Sequence, residues 1–117
     1  MSEFAVTRKD VDEISVLNLD GYLDAHTAPH FEESLKQLVD EGRFNIIVNC
    51  DKLAYISSAG LGVFMGFIED IRSSNGDIKM SNMTEKVFKI FDLLGFPTLY
   101  EIVDDESEAV QKFRKQK

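Results

Sequence analysis

The chain is poor in the residues that would staple, kink or cross-link it. It has one cysteine, two prolines and no tryptophan in 117 residues. A lone Cys50 rules out a disulfide framework. No apolar run approaches the ~20 residues that a bilayer-spanning helix requires. The N-terminal Met1-Ser2-Glu3-Phe4 lacks a basic segment followed by an apolar one, so no secretory signal is read there and a cytoplasmic protein is expected. Basic residues are also scarce. Thirteen Lys and Arg stand against 21 Asp and Glu, a formal charge of −8. Such a surface repels nucleic-acid backbones and anionic membranes. The one basic cluster, Lys112, Arg114, Lys115 and Lys117, closes a segment that opens with Asp104-Asp105-Glu106. Acids first and bases last match a helix dipole, which explains the tail without nucleic acid. What remains is 44% hydrophobic and 29% charged, the composition of a folded protein, and its length predicts one domain over residues 1–117.

The chain reads as short strands alternating with helices. Phe4–Thr7 and Ile14–Leu19 are expected as strands. The polar stretch Arg8–Glu13 between them is too short for a crossover helix, so they should form an antiparallel hairpin, with Gly21 breaking the second strand. His26–Glu41 predicts a helix, with Pro29 in its first turn, Thr27 as cap, Phe31, Leu35, Leu38 and Val39 on one face, and Gly42 as terminator. The β-branched run in Phe44–Asn49 suits a buried parallel strand that ends at Cys50. A second helix is expected from Ser58 to about Ser74, a strand over Asp77–Met80, and a third helix capped by Thr84 with Val87, Ile90, Phe91 and Leu94 on one face. Gly95 and Pro97 stop that helix. A strand over Leu99–Val103 and a helix over Asp104–Lys117 complete the order β-β-α-β-α-β-α-β-α. Repeated strand–helix–strand crossovers are right-handed and give a mostly parallel sheet of four to five strands with about four helices, an α/β fold wound as a β-α superhelix.

The segment that could carry function is Tyr55-Ile56-Ser57-Ser58-Ala59-Gly60-Leu61-Gly62. Gly60, Gly62 and Gly66 at a helix entry weaken the helix by about 1 kcal/mol each relative to alanine, and their expected value is to let another molecule approach the backbone. Ser58 sits where an N-cap hydroxyl belongs. A phosphate-binding P-loop would need Gly-Lys-Ser/Thr, which is absent. A nucleophile elbow would need a glycine two residues before its serine, and Ile56 stands there. His26 and His30 are spaced four apart, but with no glutamate between them in the zinc-protease pattern and no cysteine pair they read as surface or capping residues. No acid, base and nucleophile set assembles, so neither enzymatic activity nor a metal or cofactor is expected. A receiver-type phosphorelay domain shares the length and alternation, with Asp51 as its acceptor, but it needs an acidic pair for Mg²⁺ and a lysine at the end of the last strand, where Asp104-Asp105 stands.

Two segments resemble the STAS domain of bacterial anti-sigma factor antagonists. Asp20-Gly21-Tyr22-Leu23-Asp24-Ala25-His26-Thr27-Ala28-Pro29 is similar to that family's Gly-Glu-Leu/Ile-Asp stretch, and Tyr55–Gly62 is similar to its Met-Asp-Ser-Ser/Thr-Gly-Leu-Gly stretch. Phe91-Asp92-Leu93-Leu94-Gly95-Phe96 resembles its third helix and exit. The resemblance implies a STAS-type fold and a phosphorylation switch that, unmodified, binds an anti-sigma factor serine kinase and so releases a sigma factor. It implies Ser58 as the phosphoacceptor, with Ser57 as the alternative, and a partner surface of Asp24, Ser57, Ser58, Ala59, Gly60, Leu61 and Gly62. Ser57 stands where the family has aspartate, and Tyr22 where it often has glutamate. A serine phosphatase and a second copy of the chain are further candidate partners; direct nucleic-acid and membrane binding are not expected. A scaffold or transporter-associated subunit without a switch is the alternative within the same fold.

Overall fold

In a computed structural model, which describes residues 4–115, five strands form one sheet in the order β1-β2-β3-β4-β5. They are β1 (Phe4–Val11), β2 (Ile14–Leu23), β3 (Asn45–Ile56), β4 (Asp77–Ser81) and β5 (Glu101–Val103). β1 runs antiparallel to β2 and every other pairing is parallel. The helices are α1 (Ala28–Asp40), α2 (Ser58–Ser73), α3 (Glu85–Leu93) and α4 (Glu106–Arg114), with a 3-10 turn at Phe96–Thr98. The expected α/β architecture of a mostly parallel sheet opened by an antiparallel hairpin is the one observed.

Several expected boundaries move, each for a physical reason. The polar stretch Arg8–Glu13 is largely strand. β1 continues to Val11 because its charges are paired: Arg8 donates to both carboxylate oxygens of Glu41, at 2.7 and 2.9 Å, and to Asp10 at 3.0 Å. The hydrogen bonds from Arg8 hold the Asp10 and Glu41 carboxyls below their ordinary values. Gly21 does not end β2. It adopts φ 108°, open to glycine and strained for other residues, beside a register shift between Gly21 and Tyr22. β3 runs on to Ile56, so Cys50 lies within it, buried, with its thiol pushed up to about 12 by desolvation. Asp51 is likewise inside the strand, not at the strand end a receiver domain would use. Leu94 is exposed rather than part of the buried face of α3, β5 starts only at Glu101, and α4 starts at Glu106, capped by Asp105, whose side chain accepts from Glu108 N at 2.9 Å. Of the basic tail, Lys112 and Arg114 pair with Glu101 (3.8 Å) and Asp12 (3.0 Å); Lys117 lies outside the described residues.

Two apolar clusters hold the layers. α1, α2 and α3 cover one sheet face, where Phe31, Phe64, Phe91, Phe96 and Tyr100 form a chain of ring contacts with centroids 5.0–6.0 Å apart. Edge-to-face pairs of this kind contribute about 0.5–1.5 kcal/mol each beyond burial. α4 covers part of the other face through Ala109 and Phe113, which pack on Ile14, Val16, Ile47 and Val103. Beside them Lys79 is only 1% exposed. Its ammonium lies 3.2 Å from Asp77 Oδ2 and 4.7 Å from the centre of the Phe113 ring. Asp77 also accepts from Arg72 Nε at 3.0 Å and Ile78 N at 2.9 Å.

Two stability tests follow from this packing. Asp77→Ala strips the buried ammonium of its counter-charge and should cost about 3–5 kcal/mol, whereas Lys79→Met, of similar volume, should be near neutral or stabilising; equal losses in urea unfolding would refute the assignment. A Cβ at Gly60 would lie 2.7 Å from Leu23 Cγ and 3.0 Å from Ile56 Cγ1, while one at Gly62 would meet nothing within 4 Å. Gly60→Ala should therefore destabilise by about 1–3 kcal/mol, and Gly62→Ala should stabilise by up to about 1 kcal/mol. Changes of the same sign in the two denaturation curves would contradict this geometry.

Candidate functional site

The site forms where neighbouring strands end together. In the parallel register Tyr22 stands opposite Tyr55 and Leu23 opposite Ile56. The loops that leave β2 and β3 therefore emerge side by side, and Ser57 N–H donates to Leu23 O at 2.9 Å to tie them. Asp24 organises the first loop. Its Oδ1 accepts from His26 N (2.9 Å), Thr27 N (3.1 Å) and the Thr27 hydroxyl (3.3 Å). Thr27 was expected to cap α1 through its side chain; instead its hydroxyl donates to Tyr22 O at 2.7 Å and accepts from Asp24 N at 2.9 Å, so it closes the turn rather than the helix.

The second loop corrects the expected roles of the paired serines. Ser57 is the N-cap of α2, with extended φ −100° and ψ 174°, and its hydroxyl accepts from Gly60 N at 3.4 Å. Ser58 is the first helical residue. Its side chain is free of the capping duty and exposed, while Ser57 is half-buried. The first turn of α2 contains no acidic residue, unlike those of α3 and α4. The positive end of the α2 dipole is thus not offset by a carboxylate from its own first turn.

The glycines divide by face. Gly60 and Leu61 are buried against the core, and the absence of a side chain at Gly60 serves Leu23 and Ile56, not an approaching molecule. Ser58 and Gly62 face outward, and Met65 and Gly66 continue their row at helical spacing. Gly62 and Gly66 have open space where a Cβ would stand. Met65 is 58% exposed. At the strand ends the Tyr22 and Tyr55 rings lie 6.1 Å apart and are 46% and 37% exposed. Of the seven residues expected at a partner surface, the structure brings Asp24, Ser57, Ser58, Ala59 and Gly62 to accessible positions and turns Gly60 and Leu61 inward. Tyr22, Tyr55 and Met65 were not counted among them. The i, i+4, i+7, i+8 row through Ser58 was the signal for Met65; nothing in the sequence shows that the two tyrosines pair.

No cluster of three or more His, Cys, Asp or Glu suited to a metal occurs among the described residues. His26 is exposed, and the His30 ring packs edge-on against Phe4 with centroids 5.6 Å apart. No described helix is long and apolar enough to cross a membrane. The strip at the strand ends presents exposed hydroxyl, bare backbone, thioether and aromatic surface.

The comparisons with known proteins bear on the family and the fold. The chain is 28% identical over 104 residues to a Bacillus subtilis protein named anti-sigma-B factor antagonist, covering 89% of this chain and 94% of that one. A crystal structure of a putative anti-sigma factor antagonist from Thermotoga maritima superposes with a TM-score of 0.85 at 25% identity, covering 93% of this chain and 94% of the other. The unphosphorylated form of the anti-sigma factor antagonist SpoIIAA shares the fold, with a TM-score of 0.82 at 24% identity over 95% of this chain and 97% of SpoIIAA. A family model for the STAS domain matches residues 5–109, and the chain belongs to the STAS domain family.

Proposed function

We propose that this protein is an anti-sigma factor antagonist whose binding is switched by phosphorylation at Ser58. In its unmodified form it binds an anti-sigma factor of the serine-kinase type, which then releases its sigma factor. The reading is of a regulatory binding protein rather than an enzyme, and relatives named anti-sigma-B factor antagonist support it. The observation that carries it is the position of Ser58: an exposed hydroxyl on the first helical residue of α2, at a helix entry without acidic residues, next to the open backbone of Gly62.

The geometry favours a switch at the interface over one in the fold. A phosphate adds about −1.5 to −2 charges near neutral pH. At Ser58 it meets the positive end of α2 and displaces no packed side chain. The folded state therefore accepts the modification. A partner seated on Ser58, Gly62 and Met65 does not, because it must desolvate the new charge. Asp24 contributes by shaping the neighbouring turn, and its charge lies on the same side of the sheet ends.

The test uses the anti-sigma factor kinase isolated with the wild-type protein as bait. Ser58→Ala should retain binding, Ser58→Asp should weaken it partly, and the phosphorylated protein should bind roughly tenfold or more weakly. The thermal melting curves of all forms should superimpose. Asp24→Asn keeps the acceptor oxygen and should stay folded, while Asp24→Ala loses it at about 1 kcal/mol. Phosphate found mainly on Ser57 by site-resolved mass spectrometry, or binding lost only in step with melting, would sink the proposal.

A further inference from the structure

The two open edges of the sheet are built differently. Along β1, residues 7–10 are all exposed, and three of them, Arg8, Lys9 and Asp10, are charged; Arg8 and Lys9 are tied to Glu41 and Glu106. Charged side chains on an edge strand discourage the addition of another strand. β5 carries less charge. Its only charged residue, Glu101, pairs with Lys112, and Ile102 and Val103 are half-buried and buried. Beside this edge Met83, Glu85, Phe88, Ile102, Val103 and Asp104 line a groove of about 530 Å³. Phe88 is 37% exposed there.

The lining is apolar apart from two carboxylates, with no basic side chain. Asp104 makes no ion pair among the described residues, and Glu85 has only an exposed 3.5 Å contact with Lys89, which water and salt screen. A second copy of this chain would bring the same carboxylates and another net −8, so like charges would face each other. A three-residue strand offers few main-chain hydrogen bonds, so an added segment needs a side-chain anchor as well. The groove supplies one.

We propose that the β5 edge and this groove bind an extended basic segment of a partner protein, which adds to the sheet as a sixth strand. An apolar side chain of the segment rests on Phe88 and Ile102, and Lys or Arg residues two positions to either side, on the same strand face, meet Glu85 and Asp104. This is strand addition, with main-chain bonds giving affinity and the groove giving specificity. β4 separates this edge from β3, the strand that leads into the Ser58 strip.

The probe is an acetylated and amidated nine-residue peptide with valine at its centre, lysine two residues to either side and threonine elsewhere, titrated into the ¹⁵N-labelled full chain. The largest amide shifts should fall on Phe88 and residues 101–104. Phe88→Ala, and separately the shape-preserving pair Glu85→Gln with Asp104→Asn, should weaken binding about tenfold or more, while Ser58→Asp should leave it unchanged. A fully N-methylated peptide cannot pair with the edge and should not bind. Shifts spread over the acidic surface or along β1, equal binding of the N-methylated peptide, or affinity indifferent to both sets of groove variants would overturn the proposal.

Discussion

The register between β2 and β3 is the constraint on which the site depends. Because Tyr22 pairs with Tyr55 and Leu23 with Ile56, the Asp24 turn and the Ser57 cap leave the sheet as neighbours, and the bond from Ser57 N–H to Leu23 O fixes their separation. Two register shifts precede this point, between Asn18 and Asp20 and between Gly21 and Tyr22. A slip of one residue would exchange the buried Leu23 for the exposed Tyr22 and drive the Gly60 turn away from its packing surface. The positive φ of Gly21 belongs to the same device. It lets the strand absorb the irregularity and continue instead of ending.

From that register, helix α2 acquires two faces with opposite requirements. The inward face meets Leu23 so closely at Gly60 that no side chain fits. The outward face, through Ser58, Gly62 and Gly66, carries little or nothing beyond the backbone. Glycine appears on both faces for unrelated reasons, close internal packing on one and open approach on the other. The second use lowers helix propensity without any compensating contact inside the protein. A residue choice that weakens the element and packs against nothing internal points to a contact outside the molecule.

Much of the architecture was legible in the sequence because local pattern and tertiary packing agree. Ile46-Ile47-Val48 is a buried parallel strand, and Thr84 caps α3 as its position suggests, its hydroxyl accepting from Val87 N at 3.2 Å. The pattern fails where distant partners decide. Arg8–Val11 reads as loop but is strand, because Glu41, far along the chain, neutralises Arg8. The expected strand over Asp77–Met80 carries no sign that Lys79 is buried, which it is because Asp77 and Phe113 receive its ammonium. At the site, the sequence pattern puts the cap of α2 at Ser58, but spacing alone cannot tell adjacent hydroxyls apart. The backbone dihedrals assign the cap to Ser57 and leave Ser58 outside.

Under the proposed function, that one-residue difference separates stability from signalling. A capping hydroxyl is engaged with backbone N–H groups, and modifying it would remove a bond the helix uses. Ser57 occupies that role, and its 3.4 Å contact to Gly60 N is already long. Ser58 carries no such duty, so a charge placed there changes what the surface presents while the helix keeps its cap. The aromatic chain from Phe31 to Tyr100 and the β2–β3 register lie beneath and are untouched by such a change. A domain this small has few kcal/mol of net stability to lose, and a modification that drew on the core or the cap would act by unfolding. In the switch proposed above, an acceptor one residue past the cap would confine the modification to the interface.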